Sequence, residues 1–179
     1  MKKTLRLILI IFVLSFLASC ASNGVVLPKS KPGAGKTTFM KILAGEIKPD
    51  KGKIQTKVKV SYKPQYISYT GEKTVSELFI NVNLEEIKNS LLKPLELEGL
   101  MEKKAKTLSG GEMQRLSIAL CLSKDADVYL LDEPSAYLDV EERISVAKAI
   151  KEMMIEKEKT AFVVDHDLLL VSYLADSVI

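Results

Sequence analysis

A short glycine-rich segment of the sequence has the composition of a phosphate-binding loop. Gly33–Thr38 is followed by an apolar stretch that ends at Gly45, which predicts a helix beginning directly after the loop. Glycines before a helix let backbone N–H groups turn toward a phosphate, a lysine reaches the outer phosphates, and a threonine hydroxyl binds Mg²⁺. The residues assigned to this site are Ser30, Gly33, Ala34, Gly35, Lys36, Thr37 and Thr38, with Thr37 also a metal ligand.

Ser30 departs from the usual spacing of such loops, because it occupies the position of the first glycine. A serine there either adopts the turn with strain or marks a place where other sequence has been joined to the domain. A plain glycine turn ahead of a helix is the alternative interpretation of the loop.

Two adjacent acids follow an apolar run that has the length of a buried strand. Val128–Leu131 leads directly into Asp132 and Glu133. Ligands bind at the carboxyl ends of the strands in open α/β sheets. We therefore predict that Asp132 holds Mg²⁺ and that Glu133 orients and polarises the attacking water. Two solvated loop carboxylates are the alternative.

Two further polar side chains are predicted to reach the same edge of the sheet. Thr160–Val164 is a second apolar run, and His166, the single histidine, follows it. Apolar and polar residues alternate from Ile54 to Tyr62, which predicts a strand with one solvent-exposed basic face. Pro64 ends that strand, and the Gln65 amide is then placed to touch the metal or its water.

Paired glycines open another predicted helix. Ser109 and Glu112 form a capping-box pattern, and Gly110 and Gly111 leave bare N–H groups at the helix N-terminus. A well-capped helix explains the first pair but not the glycines. An anion-binding end explains both, and we assign Ser109, Gly110, Gly111 and Gln114 to nucleotide binding.

The first thirty residues differ in character from the rest. A basic start and the apolar run Leu7–Ala18 precede Leu17–Cys20, which resembles the lipobox of a bacterial lipoprotein signal. Residues 1–30 carry four basic residues and no acidic one, whereas the remainder carries 22 basic and 23 acidic residues. The net charge of +3 therefore does not indicate a nucleic-acid-binding body. Two cysteines, Cys20 and Cys121, exclude a disulfide framework.

The ordered motifs resemble those of ABC-type ATPases. They are the Walker A loop (Gly33–Thr38), Gln65, the signature motif (Leu108–Gln114), the Walker B strand (Leu130–Pro134) and the switch histidine His166. The resemblance implies an α/β P-loop NTPase fold with a mainly parallel core sheet, an antiparallel β piece and a helical signature-motif subdomain at about 68–122. It also implies that His166 contacts the γ-phosphate and that the cofactors are ATP and Mg²⁺.

Longer stretches resemble the second nucleotide domain of the RNase L inhibitor family, the ribosome-recycling ATPases. They are Val60–Ser68, Asp132–Asp139 and Lys159–Asp167. The resemblance covers roughly residues 32–179 and implies ATP hydrolysis that drives ribosome recycling, a second ABC domain as partner, the ribosome, and a cytoplasmic location. Ser109, Gly110 and Gly111 would then contact the nucleotide of the second domain.

The resemblance also exposes departures. The sequence has no cysteine clusters for the family's iron–sulfur domain, and the domain is expected to be truncated at both ends, with residues 1–30 foreign to it. Two other functions stay open: the ATP-binding subunit of an ABC transporter, and an inactive fragment or lipid-anchored binding module. If the signal with Cys20 is genuine, the protein is a membrane-anchored lipoprotein.

Overall fold

A parallel β-sheet organises the chain. The computed structural model describes residues 8–10, 35–50, 58–175 and 177–178. The strands are β1 (Ile8–Ile10), β2 (Val60–Lys63), β3 (Val128–Asp132), β4 (Thr160–Val164) and β5 (Ser177–Val178). They lie in the order β2-β3-β4-β1-β5, and all of their pairings are parallel. The P-loop NTPase class predicted from the sequence is confirmed.

Helices cover both faces of the sheet, as the nearly continuous apolar character of β3 requires. The larger helices are α1 (Gly35–Leu43), α4 (Gly110–Leu122), α5 (Val140–Lys157) and α6 (Leu168–Leu174). Met40 of α1 packs with Leu130 on one face. Tyr129 and Leu131 point to the opposite face and pack with α4, α5 and α6. The strand alternation thus divides the core into two layers.

Five short helical segments lie in the chain between β2 and α4. These are α2 (Val75–Leu78), α3 (Leu84–Ile87), a π-helical turn (Lys88–Leu92) and two 3-10 turns (Glu98–Leu100 and Ala105–Thr107). Their apolar residues join the core layer of α4 and α5. Within the described residues, the one antiparallel pairing outside the sheet is the bridge between Thr74 and Lys104. The predicted antiparallel β piece is thus not found among them, and the boundary of the helical subdomain stays a prediction.

The prediction that the polar residues of the strand before Pro64 face solvent was wrong for β2. Residues 51–57 lie outside the described part, but in β2 the buried side chains are Ser61 and Lys63, while Val60 and Tyr62 are half-buried. The reason is that α4 packs on this face, where the Ser61 hydroxyl donates to the Cys121 carbonyl at 2.8 Å. Ser61, which the alternation placed on the solvent-exposed face, is therefore buried.

The amino-terminal segment lies almost entirely outside the described residues. Its described part, Ile8–Ile10, pairs with β4 on one side and β5 on the other. The export-signal interpretation of residues 1–30, including Cys20, stays a prediction. No helix in the described ranges is long and apolar enough to cross a membrane.

Candidate functional site

The predicted site residues converge at one edge of the sheet. Because β2, β3 and β4 are parallel, the segments that follow them begin at the same edge. Gln65 follows β2, Asp132 ends β3 with Glu133 directly after it, and His166 follows β4. The structure therefore brings together four residues from three separate parts of the sequence.

The Glu133 carboxylate lies between Gln65 and His166. The Gln65 amide nitrogen donates to Oε2 at 2.6 Å, and His166 Nε2 lies 3.3 Å from Oε1. Glu133 is partly buried, whereas the His166 side chain is 74% exposed. This arrangement leaves the histidine in contact with solvent and holds the carboxylate in a fixed place, as a general base requires.

Asp132 has the environment of a metal ligand. It is fully buried, and neither carboxylate oxygen has a hydrogen-bond partner within bonding distance. Burial raises the pKa of the Asp132 carboxyl above its ordinary value, although the Thr37 hydroxyl is near enough to oppose that rise. A buried carboxylate without donors is costly unless a cation compensates it. Thr37 and Asp132 thus form a hydroxyl–carboxylate pair that fits Mg²⁺ together with water and phosphate oxygens.

The described portion of the phosphate loop is its helical end. Helix α1 begins at Gly35 and ends at Leu43, and Gly45 takes a positive φ of 77°, which confirms the predicted helix and its glycine stop. Ser30, Gly33 and Ala34 lie outside the described residues. The roles of Lys36, Thr37 and Thr38 in nucleotide binding stay predictions.

The signature motif begins α4 as predicted. The Ser109 side chain accepts from the Glu112 N–H, and the Glu112 carboxylate accepts from the Ser109 N–H. A Cβ placed on Gly111 would lie 3.2 Å from the Tyr137 carbonyl oxygen. A side chain at the second glycine would therefore require a small shift of the loop at Tyr137, whose φ is 64°.

Gln114 does not point out of the signature helix. Its side chain is buried, and its amide nitrogen donates to the Glu133 carbonyl oxygen at 2.7 Å. The predicted nucleotide contact is untested, but this amide is already used inside the chain.

Sequence reasoning missed a group of internal residues that support the site. Asp165 is buried and accepts from the backbone N–H and the hydroxyl of Ser135, at 2.9 and 2.6 Å. It thereby joins the segment after β4 to the segment after Glu133. Its position next to His166 at a strand end was the available signal.

The start of α6 carries a second such link. Asp167 caps the helix by accepting from Leu169 and Leu170, and it accepts from Arg143 of α5 at 2.6 Å. The loop that carries His166 is thus fixed to α5.

Comparison with known proteins agrees with this geometry. The ABC transporter family pattern matches residues 31–136. The chain belongs to this family of ABC ATPase domains, and membership implies nucleotide binding.

Within the family, its homologues are RNase L inhibitor proteins. ABC transporter E family member 3 of Arabidopsis thaliana is 41% identical over 80% of this chain and 85% of its own length. The translation initiation factor RLI1 of Saccharomyces cerevisiae is 42% identical, over 89% of this chain and 27% of its own length. The solved structure of an RNase-L inhibitor is 50% identical with a TM-score of 0.77, over 80% of this chain and 29% of that one.

The chain thus spans about a quarter of the length of the first curated relatives it matches, including an archaeal one. That relative is an uncharacterized ABC transporter ATP-binding protein of Methanocaldococcus jannaschii, 52% identical over 80% of this chain and 25% of its own length. What the longer proteins do as wholes therefore comes to this chain only as a proposal.

Proposed function

We propose that this chain binds and hydrolyses ATP and uses the cycle to drive ribosome recycling together with a second ABC domain. The observation that carries the proposal is the Glu133 carboxylate held between Gln65 and His166, directly beside the buried Asp132. Asp132 and Glu133 are consecutive, whereas Gln65 and His166 come from distant parts of the sequence and lie beside Glu133 in space.

In the proposed reaction Thr37 and Asp132 hold Mg²⁺, which neutralises phosphate charge when it is bound. Glu133 takes a proton from the attacking water. Gln65 and His166 both touch the Glu133 carboxylate, so a shift of either residue toward phosphate changes how that base is held. Phosphoryl transfer is mostly positioning and charge stabilisation, which suits a site made of fixed polar groups.

The second ABC domain follows from the exposed signature motif. Ser109 and Gly110 are exposed, and they lie on α4 rather than among the segments that follow β2, β3 and β4. We propose that they contact a nucleotide held by the other domain.

The proposed interaction with the ribosome is supported by similar proteins. One similar solved structure is described as archaeal ribosomal stalk protein aP1 with the recycling factor aABCE1, and it is 49% identical with a TM-score of 0.78 over 83% of this chain and 30% of that one. A cytoplasmic location is part of the proposal because both ATP and ribosomes are found there.

The test is ATP turnover by the full chain, followed by sedimentation with ribosomes from the source organism in the presence of ATP or of a non-hydrolysable analogue. We expect Mg²⁺-dependent turnover and nucleotide-dependent sedimentation with a ribosomal subunit. Absence of turnover would contradict the ATPase proposal. Turnover with nucleotide-dependent capture by a membrane permease, and none by ribosomes, would support the transporter alternative instead.

A further inference from the structure

A buried lysine near the site has no part in the function proposed above. Lys63 is the last residue of β2, and only 1% of its surface is exposed. Its ammonium group donates to the Asp132 carbonyl oxygen at 2.8 Å and to the Glu133 carbonyl oxygen at 3.3 Å. Lysine is almost never buried unless its charge is compensated. Here the partners are main-chain carbonyls of the two catalytic-site acids.

The backbone of Glu133 needs support. Its φ is 48°, in the left-handed region that costs an L-residue free energy. The Glu133 N–H donates to the Val164 carbonyl at 2.7 Å, and the Glu133 carbonyl accepts from Gln114 as well as from Lys63. The peptide groups around Glu133 are therefore held from β2, α4 and β4 together.

We propose that Lys63 is a positioning residue for hydrolysis, because its ammonium group holds the carbonyls of Asp132 and Glu133 and thereby fixes the left-handed backbone that aims the Glu133 carboxylate. This inference rests on the proposed function in one respect, the role of Glu133 as base. The two hydrogen bonds from Lys63 to the Asp132 and Glu133 carbonyls, called the clamp below, do not depend on that role.

Two other roles for Lys63 fit the geometry less well. A phosphate ligand would need its ammonium group to reach the site, yet the group faces carbonyl oxygens and is shielded from solvent. The Asp132 carboxyl is near enough to favour the charged form of Lys63, but the ammonium group donates its hydrogen bonds to the two main-chain carbonyls and not to a carboxylate, so it is more than an ion pair. Burial lowers the pKa of the Lys63 ammonium to about 8, which shows what its position costs.

The clamp also joins the two nucleotide-facing edges of the chain. Gln114 lies on the signature helix α4, and its amide meets Lys63 at the same Glu133 carbonyl. A displacement of α4 on contact with a second domain would therefore reach the backbone of Glu133 directly.

The test compares Lys63→Met with Lys59→Met in the full chain. Methionine keeps most of the lysine stem but has no donor. Lys59 precedes the same strand, is exposed and pairs with Asp125, so it is the matched control. We expect Lys63→Met to lower kcat about 10- to 100-fold with the ATP KM within about twofold, because small misplacement of a catalytic group has effects of this size. Lys59→Met should leave both unchanged.

A second measurement does not need turnover. Amide hydrogen exchange of the segment from Asp132 to Leu138 should become roughly tenfold faster in Lys63→Met and not in Lys59→Met, because local opening is easier without the clamp. Lys63→Gln, which keeps a donor, should recover part of both effects and serves in place of Lys63→Met if that variant does not fold.

Unchanged kcat and unchanged exchange in Lys63→Met would overturn the inference. So would a rise in KM at constant kcat, which would indicate a binding role. A wild-type chain without turnover would contradict the proposed function alone, since the exchange measurement would still decide on the clamp.

Discussion

The two edges of the domain that are proposed to meet nucleotide are built differently. At the sheet edge, Glu133 is tied to Gln65, and Ser135 is tied to Asp165. At the signature edge, the Ser109 hydroxyl is used only to cap its own helix, and Ser109 and Gly110 are exposed. One edge is organised by contacts within the chain, whereas the other presents exposed groups.

This difference indicates which parts of the proposed site are positioned by the single chain and which need a second domain. The proposed base, Glu133, is positioned by contacts within the chain, so substitutions there should change chemistry in the single chain. At the signature edge the Ser109 hydroxyl contacts only its own helix and Gly110 is exposed, so substitutions at these two residues should change association with a second domain.

The largest effect is expected from Glu133→Gln. We expect ATP turnover to fall about 10²- to 10⁴-fold, because a general base contributes that much. ATP binding should persist, and an ATP-bound dimer should accumulate in size-exclusion chromatography.

Glu141→Gln is the control, since Glu141 is a nearby exposed acid at the start of α5. Turnover within about twofold of wild type in Glu133→Gln would show that Glu133 is not the base.

Asp132→Asn should weaken Mg²⁺ binding about 10- to 100-fold, because the variant loses the charge of a metal ligand. In the absence of Mg²⁺ its melting temperature should equal or exceed that of the wild type, since burial raises the pKa of the Asp132 carboxyl and the charged form is therefore costly there. Thermal unfolding with and without Mg²⁺ and ADP measures both effects. An Asp132→Asn variant that is less stable without metal would contradict the assignment.

Gly111→Ala tests the signature edge. The added methyl would lie 3.2 Å from the Tyr137 carbonyl oxygen, so the loop at Tyr137 must move. We expect ATP-dependent association, measured by sedimentation in the Glu133→Gln background, to weaken about tenfold, because overpacking costs about 1–3 kcal/mol. Stability should change less, since alanine is favoured over glycine in a helix by about 1 kcal/mol. Gly99→Ala, where the methyl meets open space, is the control.

Asp167→Ala should have the smallest effect, a loss of about 1 kcal/mol of stability from the missing helix cap. The backbone N–H of Leu170 and the Arg143 guanidinium lower the pKa of the Asp167 carboxyl. A carboxyl with a lowered folded-state pKa stabilises the fold above its ordinary value of 3.8 and loses this contribution as pH falls through the lowered pKa.

Urea unfolding at several pH values should therefore show the difference between wild type and Asp167→Ala at neutral pH and a smaller one in acid. Asp167→Asn, which keeps the capping oxygen without the charge, separates the cap from the Arg143 pair. A difference that grows in acid would contradict this account.

Much of the fold could be predicted from local patterns. The predicted apolar runs 128–131 and 160–164 form β3 and β4, and the predicted capping box at Ser109 begins α4. These features are local: strand hydrophobicity and a capping residue act within a few positions of the sequence.

The rest depended on packing that no local pattern contains. The alternation before Pro64 placed Lys59 and Ser61 on a wet face, but burial under α4 turned Ser61 and Lys63 inward. Gln114 was assigned to nucleotide binding, which stays a prediction. Nothing near it in sequence reveals that its amide donates to the Glu133 carbonyl. Side chains that serve main-chain groups of another element are visible only once the elements are assembled.

The contact between α4 and β2 contains a buried thiol whose reactivity can report on opening of that contact. The Cys121 thiol is buried, the Ser61 hydroxyl donates to its sulfur at 3.3 Å, and burial raises the pKa of the thiol to about 11. Alkylating reagents attack the thiolate. We therefore expect alkylation of Cys121 to require movement of α4 away from β2, so that the alkylation rate would measure how often this contact opens.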